Sequence, residues 1–393
     1  MQSPSEKSQH PTAFPSRSPA RLLRFSLTVT ALLAVLHFYI GWQLLPALSL
    51  SSLGWVCGLV FLALSMLLIP LGMLARFFVS NQRWSDLITW AGSLAMGLFS
   101  SLLVLTLLRQ ILLVLSLPFI FASALLVPLL ALLITLIGFV NARCLPRVVD
   151  VEIPLVHLPL SLVGFTIVQI SDIHVGPTIK RDYVQAIVER VNSLSADLVA
   201  ITGDVVDGSV PQLAAHTRPL ANLLARHGVY FVTGNHEYYS GADAWVEEFK
   251  RLGLRVLMNE HIVLEHSGAQ LVVAGVTDFS AHLFDPDQRS DPQQALSGAP
   301  DGVFRLLLAH QPRSVSAAVE AGVDLQLSGH THGGQFWPWN LFVRLQQPYT
   351  AGLHRLGKLW IYISRGTGYW GPPKRFGAPS EITRIRLVSA ASS

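Results

Sequence analysis

Seven side chains with hard oxygen or imidazole donors stand out in the second half of this sequence: Asp172, His174, Asp204, Asn235, His310, His330 and His332. Such donors suit Mn, Fe, Zn or Co, and no thiolate is among them. Seven ligands are too many for one ion and about right for two that share a carboxylate. Two divalent ions about 3.5 to 4 Å apart lower the pKa of a bridging water, so that hydroxide exists near neutral pH and no nucleophilic side chain is required. In an alternating His330-Thr331-His332 the two imidazoles aim at neighbouring positions while the threonine points away. Glycines beside Asp204, Asn235 and His330 let backbone approach the ions closely,.

The elements that must position these residues follow from short apolar runs bounded by polar turns. Phe165 to Ile170, Leu198 to Thr202 and Val229 to Thr233 read as strands, with amphipathic helices over Arg181 to Asn192 and Gln212 to Arg226 between them,. That is a βαβαβ unit, and each strand ends in a polar cluster at the carboxyl edge, where open α/β sheets place their sites. Further strands are expected at Leu271 to Val276, Phe304 to Ala309, Leu325 to Leu327, Leu359 to Ser364 and Ile382 to Val388, with a helix from Arg313 to Ala321. So many strands with few later helices imply a two-sheet α/β sandwich over roughly residues 150–390.

Asp172-Ile173-His174, Gly203-Asp204, Gly234-Asn235-His236-Glu237, His310 and Gly329-His330-Thr331-His332, in that order, resemble the motif series of the calcineurin-like metallophosphoesterase superfamily. Gly333-Gly334-Gln335 and Arg375-Phe376-Gly377 resemble its membrane-associated bacterial branch, which includes YkuE-like phosphoesterases and is similar to UDP-2,3-diacylglucosamine hydrolases of lipid A synthesis. The resemblance implies a phosphoester hydrolase with two divalent ions, manganese among the choices. It implies that Asp172, His174 and His332 hold the first ion, that Asn235, His310 and His330 hold the second, and that Asp204 bridges them. His236, beside Asn235, would protonate or hydrogen-bond the leaving oxygen, or else only orient Asp172 or the water. Asp207 and Glu237 read as turn or supporting residues. Arg365 would hold a phosphate oxygen with its fork of donors, or be an ordinary surface arginine. His216, His227, His261, His266, His282 and His354 have no motif around them and read as solvated. The segment Phe336 to Gln347 departs from the pattern by being apolar and aromatic, which fits either an interfacial contact or the packing of a long loop.

Composition divides the 393 residues: hydrophobic ones are 51% and charged ones only 13%, the mark of apolar spans added to a domain of ordinary make-up,. Before Val151 nine Lys or Arg face three Asp or Glu, leaving +6. The remaining 19 basic and 21 acidic residues leave about −2, so the positive charge belongs to the apolar part and no nucleic-acid partner is implied,. Two cysteines, Cys57 and Cys144, make no disulfide framework or metal site,. Residues 1–20, rich in Ser, Pro and Gln, read as a disordered tail. Within 21–146, four spans of about 25–45, 53–75, 87–108 and 111–140 are each long enough to cross the hydrocarbon layer. Basic residues precede the first span, follow the second and follow the fourth, with Arg109 as the one dissenter, so both termini and the catalytic half are expected in the cytosol of a bacterium, at a multi-pass inner membrane,. The bilayer and a phosphorylated, lipid-linked substrate are the expected partners. A broad-specificity phosphodiesterase on soluble substrates and a non-catalytic membrane sensor are the alternatives.

Overall fold

Leu, Val, Ala and Phe fill the first third of the chain. The computed structural model, which describes residues 19–116 and 123–390, folds that third into α1 (Pro19–Leu44), α2 (Ser52–Phe78), α3 (Gln82–Val114) and α4 (Ser123–Arg143). Four helical stretches here are long and apolar enough to cross a membrane,. The tail expected over residues 1–20 lies, except for its last two positions, outside the described residues. Gly72 and Gly92 bring α2 and α3 into backbone contact, where a Cβ on either would strike the other; small residues serve this purpose between membrane helices.

One boundary differs from expectation. No break occurs at Arg109; α3 runs unbroken to Val114, and α4 begins at Ser123 rather than near Ile111. Leu, Arg and Gln are good helix formers and nothing between Leu108 and Ile111 stops the helix. The buried Arg109 donates from Nε to Ser123 Oγ at 3.0 Å, a partner that replaces water.

The rest of the chain contains β1 (Arg147–Leu155), β2 (Thr166–Ile170), β3 (Leu198–Ile201), β4 (Val229–Phe231), β5 (Arg255–Val256), β6 (Glu260–His266), β7 (Ala269–Gly275), β8 (Phe304–Leu308), β9 (Leu325–Ser328), β10 (Gly352–Leu356), β11 (Leu359–Ile363) and β12 (Glu381–Ser389). They form two six-stranded mixed sheets, in the orders β1-β12-β2-β3-β4-β5 and β10-β11-β9-β8-β7-β6. The helices are α5 (Arg181–Asn192), α6 (Val210–Thr217), α7 (Asn235–Ser240), α8 (Ala242–Arg251), α9 (Pro292–Ala295), α10 (Val315–Glu320) and α11 (Asn340–Val343). Ile167, Leu198, Ala200 and Tyr230 of one sheet pack on Leu271, Val273, Leu306 and Leu327 of the other. The opposite face of the first sheet is covered by Val184, Ile187, Trp245 and Phe249 of α5 and α8. These layers make the expected two-sheet α/β sandwich, behind an all-helical region.

Several elements depart from expectation. The helix expected to reach Arg226 stops at Thr217 and gives way to a 3-10 turn over Arg218–Asn222, because Pro219 has no N–H to continue the ladder,. The amphipathic α8, signalled by Trp245, Phe249 and Leu252 at helical spacing, was not anticipated, nor was β1, which pairs in parallel with β12.

Candidate metal centre

β2, β3 and β4 run parallel, as do β7, β8 and β9, so their carboxyl ends open on one edge of the sandwich. Asp172, Asp204 and Asn235 follow the first three strands, and His310, His330 and His332 follow β8 and β9. The chain turns abruptly there: Asp172, His174, Asp204, His330 and His332 have φ between 52° and 71°, the left-handed region. Non-glycine residues adopt it at an expense of about 1 kcal/mol or more each, and such strain gathers at functional sites. The alternation imagined for His330-Thr331-His332 is therefore not a strand. Two left-handed histidines flank a right-handed Thr331, which still points away, donating to Thr350 O at 2.6 Å.

The turns converge. His174 Nε2 lies 3.0 Å from His332 Nε2, which is 3.4 Å from Asp172 Oδ1. In a second group His310 Nε2 lies 3.1 Å from Asp204 Oδ2 and 3.2 Å from His330 Nδ1. Asp204 Oδ2 is also 4.0 Å from His174 Nε2, so this carboxylate stands between the groups. Asn235 Oδ1 is buried with no hydrogen-bond partner. An orphaned acceptor, and imidazole nitrogens turned toward each other and toward carboxylates, fit cations placed among them. Each of the two groups offers three donor atoms within 4.8 Å of one another. Loops meet here so closely that a Cβ on Gly329 would strike Ser171 Oγ and Asp172 Oδ2.

Supporting residues orient the donors. Asp207 Oδ1 accepts from His174 Nδ1 at 3.0 Å and His236 Nδ1 at 2.6 Å, which leaves both Nε2 atoms directed into the site. The buried Glu237 carboxylate accepts from the amides of Gly234 (2.7 Å), Asp204 (2.9 Å) and Val205 (2.7 Å), tying two ligand loops together. His310 Nδ1 is held by Thr202 O at 2.7 Å. Arg375, fully buried, reaches His332 Nδ1 from Nη2 at 3.1 Å and donates from Nη1 to His332 O at 2.9 Å. Nothing in the sequence singled out Arg375 beyond its place in a family-like tripeptide.

Charge follows the same geometry. Burial pushes the carboxyl of Asp204 up, but His310 and its neighbours outweigh that and hold it well below the usual range. Burial opposes charge on His236, yet Asp204 and Asp207 raise it to about 9. Burial, with His310 nearby, lowers His330 to about 3. Burial and the Asp204 charge push Glu237 up to about 8, opposed by its amide donors.

Arg365 is not brought into this cluster. Its Nη1 pairs with Glu381 Oε2 at 2.9 Å and its amide with Glu381 Oε1 at 3.1 Å, because Glu381 is buried and needs a cation. A different arginine, Arg313, lines a pocket of ≈ 340 Å³ with Asn235, His330, His282, Gln346 and Gln347. The other histidines are not all solvated either: His266 is buried, 2.9 Å from His227 and edge-on to Phe165.

The profile of the calcineurin-like phosphoesterase family matches residues 165–334, the stretch that carries all seven donors. A metallophosphoesterase of Aquifex aeolicus (strain VF5) is 33% identical over 224 residues, 56% of this chain and 84% of its own length. The chain belongs to the calcineurin-like metallophosphoesterases. Its family is metal-dependent and hydrolyses phosphoesters. The metallophosphoesterase YkuE of Bacillus subtilis (strain 168) is 31% identical over 242 residues, 59% of this chain and 82% of that protein. A transmembrane protein with metallophosphoesterase domain from Danio rerio is 40% identical over 273 residues, 66% of this chain but only 62% of its own length. The chain thus spans less than two thirds of that relative.

Asp207→Asn tests the orienting role. The rings of His174 and His236 lose their anionic anchor, so metal affinity is expected to fall about 10- to 100-fold. With less negative charge beside it, His236 loses its proton at lower pH, so the alkaline limb of the rate profile moves down. Metal titration and a pH–rate profile check this, and an unmoved limb would remove His236 as the proton donor.

Proposed function

We propose that this metallophosphoesterase is a membrane-anchored hydrolase that uses two divalent ions to cleave a phosphodiester or pyrophosphate in a lipid-linked substrate. The observation that carries it is the pair of donor triads joined by Asp204 Oδ2, opening on a pocket with Asn235 and His330 in its wall. Asp172, His174 and His332 would hold one ion and Asn235, His310 and His330 the other, with Asp204 shared. Bound there, the ions would supply the Lewis acidity that activates water and screens phosphate charge.

The chain's own residues do the rest. His236 Nδ1 is fixed on Asp207, which leaves Nε2 to hand a proton to the leaving oxygen,. Its ring meets Tyr239 and Trp370 edge-on, which narrows its swing away from the site. Arg313 and His282 line the same pocket and suit the remaining negative charge of a phosphorylated headgroup,. Arg76 donates to Asp207 O and Arg143 to Thr178 O, so these basic helix ends lie on the side of the catalytic half. That supports a cytosolic catalytic half at a bacterial inner membrane.

The substrate reading predicts that the metal-loaded protein in nanodiscs turns over UDP-2,3-diacylglucosamine, or a comparable amphiphilic pyrophosphate, at least about tenfold faster than bis-p-nitrophenyl phosphate. Preference for soluble diesters would leave a broad phosphodiesterase tethered by its helices. For orientation, alkaline phosphatase fused after Ser393 is expected to be inactive in a bacterial host; an active fusion would place the catalytic half outside the cytosol.

A further inference from the structure

The segment after the metal-binding histidines is apolar, yet much of it is left uncovered. Trp337 is 43% exposed, Leu341 63%, Phe342 53% and Leu345 81%. An apolar surface of this kind, interrupted by the exposed Arg344 whose long stem lets its charged head reach water, is unusual in water and marks a contact with something apolar,. Its neighbours say what that is. Trp339 Nε1 donates to Ser100 Oγ of α3 at 2.9 Å. The adjoining Pro372–Phe376 loop sends Lys374 Nζ to Gly97 O at 2.8 Å and Ser101 Oγ at 2.5 Å on α3, and to Thr135 Oγ1 of α4 at 3.5 Å.

Depth follows from helix rise. Thr135 lies eight residues before Arg143, where α4 ends on the side of the catalytic half. At 1.5 Å per residue this contact is about 12 Å below the helix end. Gly97 and Ser101 of α3 lie at the same level, since Lys374 Nζ touches all three. A loop seated that far down the bundle carries its outward-facing side chains past the headgroups of any bilayer the helices span. Lipid, rather than water, is then the neighbour of Leu341, Phe342 and Leu345.

The same segment ends at the site. Gln346 and Gln347, directly after Leu345, line the pocket with Asn235 and His330, and Arg313 Nε donates to Gln346 O at 2.5 Å. Within three residues the chain passes from an exposed leucine to the wall of the metal centre. We propose that the Trp337–Leu345 segment is a bilayer-embedded rim, and that an amphiphile's phosphorylated headgroup passes over it from the lipid surface into the pocket while its acyl chains remain in the membrane. This rests on the lipid-linked reading given above and names the route by which such a substrate arrives.

The test uses the full chain in nanodiscs of phosphatidylcholine and phosphatidylglycerol. The two cysteines, both free and exposed, are replaced by Cys57→Ala and Cys144→Ala. Leu341→Cys and Leu345→Cys are each labelled with a polarity-sensitive NBD probe, with Leu224→Cys as the control on the catalytic surface. Probes at 341 and 345 are expected to emit at shorter wavelength and to be quenched severalfold more by 5-doxyl lipid than the probe at 224. Quenching equal to that at 224 would overturn the rim. A blue-shifted probe untouched by doxyl lipid, with Leu345→Cys forming disulfide-linked dimers, would assign the surface to a second copy of the chain and also overturn it. Leu345→Glu is expected to raise the KM for an amphiphilic substrate about tenfold, and an unchanged KM would overturn the entry route. Because quenching is read without turnover, a quenched probe in a protein inactive on amphiphiles would sink the substrate reading while keeping the membrane contact.

Discussion

Asp204→Asn is expected to lower phosphoester turnover by at least about 10³-fold, equivalent to about 4 kcal/mol of transition-state stabilisation, while leaving the fold intact. Asparagine has nearly the same shape. Its carbonyl oxygen can still accept the bond that Asp204 Oδ1 takes from His236 N at 2.8 Å, and the backbone amide keeps its partner in Glu237. What disappears is the negative charge of Oδ2, the atom that sits 3.1 Å from His310 Nε2 and 4.0 Å from His174 Nε2. A neutral amide there is a weak ligand and cannot be shared effectively between cations. Metal analysis should therefore show fewer ions per chain than in the parent protein, alongside the lost turnover. Full metal content with turnover within tenfold of the parent would end the bridging role.

The charge change also has a sign in the metal-free protein. Burial alone would lower His310, but Asp204 raises it well above 6.5. A raised histidine contributes stability that is fully present below its unfolded pKa and lost as pH rises through its folded one. Asp204→Asn removes that contribution, so the metal-free variant should lose stability relative to the parent most at acid to neutral pH.

The donor set was legible because each ligand follows a strand or closes a glycine-marked turn, and strands of four or five buried apolar residues announce themselves. The helix α5 and the strand β3 were visible for the same reason. What sequence spacing could not supply was the turn geometry. Five ligands reach the site only through left-handed backbone, a conformation in which Asp and His are enriched but which is so uncommon that residue type alone does not mark it,. Arg365 looked available because it follows a strand and sits among glycines, but its partner Glu381 lies 16 residues later on β12. A pairing set by sheet topology is invisible to local pattern. The same limit hid Lys374, whose partners lie on helices more than 230 residues earlier in the chain, and Arg375, whose guanidinium reaches His332, 43 residues before it.

Those two neighbours carry the same charge and are expected to respond in opposite ways. Arg375 is fully buried and gives its donors to His332 O, Arg365 O and Gly368 O as well as to the His332 ring. Arg375→Met fills similar space but takes a charged donor from three carbonyls in a place closed to water; His332 O keeps Gln335 N and Gly368 O keeps Ser380 Oγ, while Arg365 O loses the donor that Arg375 supplied. A destabilisation of about 1 to 3 kcal/mol follows, with metal affinity reduced about 10- to 100-fold because His332 is no longer oriented. Lys374 also lies buried, its stem along Gly138 and its ammonium among one carbonyl and two hydroxyls, with no carboxylate among the partners it contacts. Burial lowers it from 10.5 to about 8. Its depressed pKa means that its contribution to stability is fully present above about 10.5 and lost as pH falls through about 8, since the unfolded chain still binds the proton in that window,. Lys374→Met keeps the stem and removes the ammonium, while Ser101 and Thr135 can turn back onto their own helices. It should match or exceed the parent's melting temperature at pH 7 and lose the rise in stability between pH 8 and 10.5. Melting curves in nanodiscs across that range decide the matter. A Lys374→Met protein as damaged as Arg375→Met would mean that the ammonium, rather than the guanidinium beside it, holds the catalytic half on its helices.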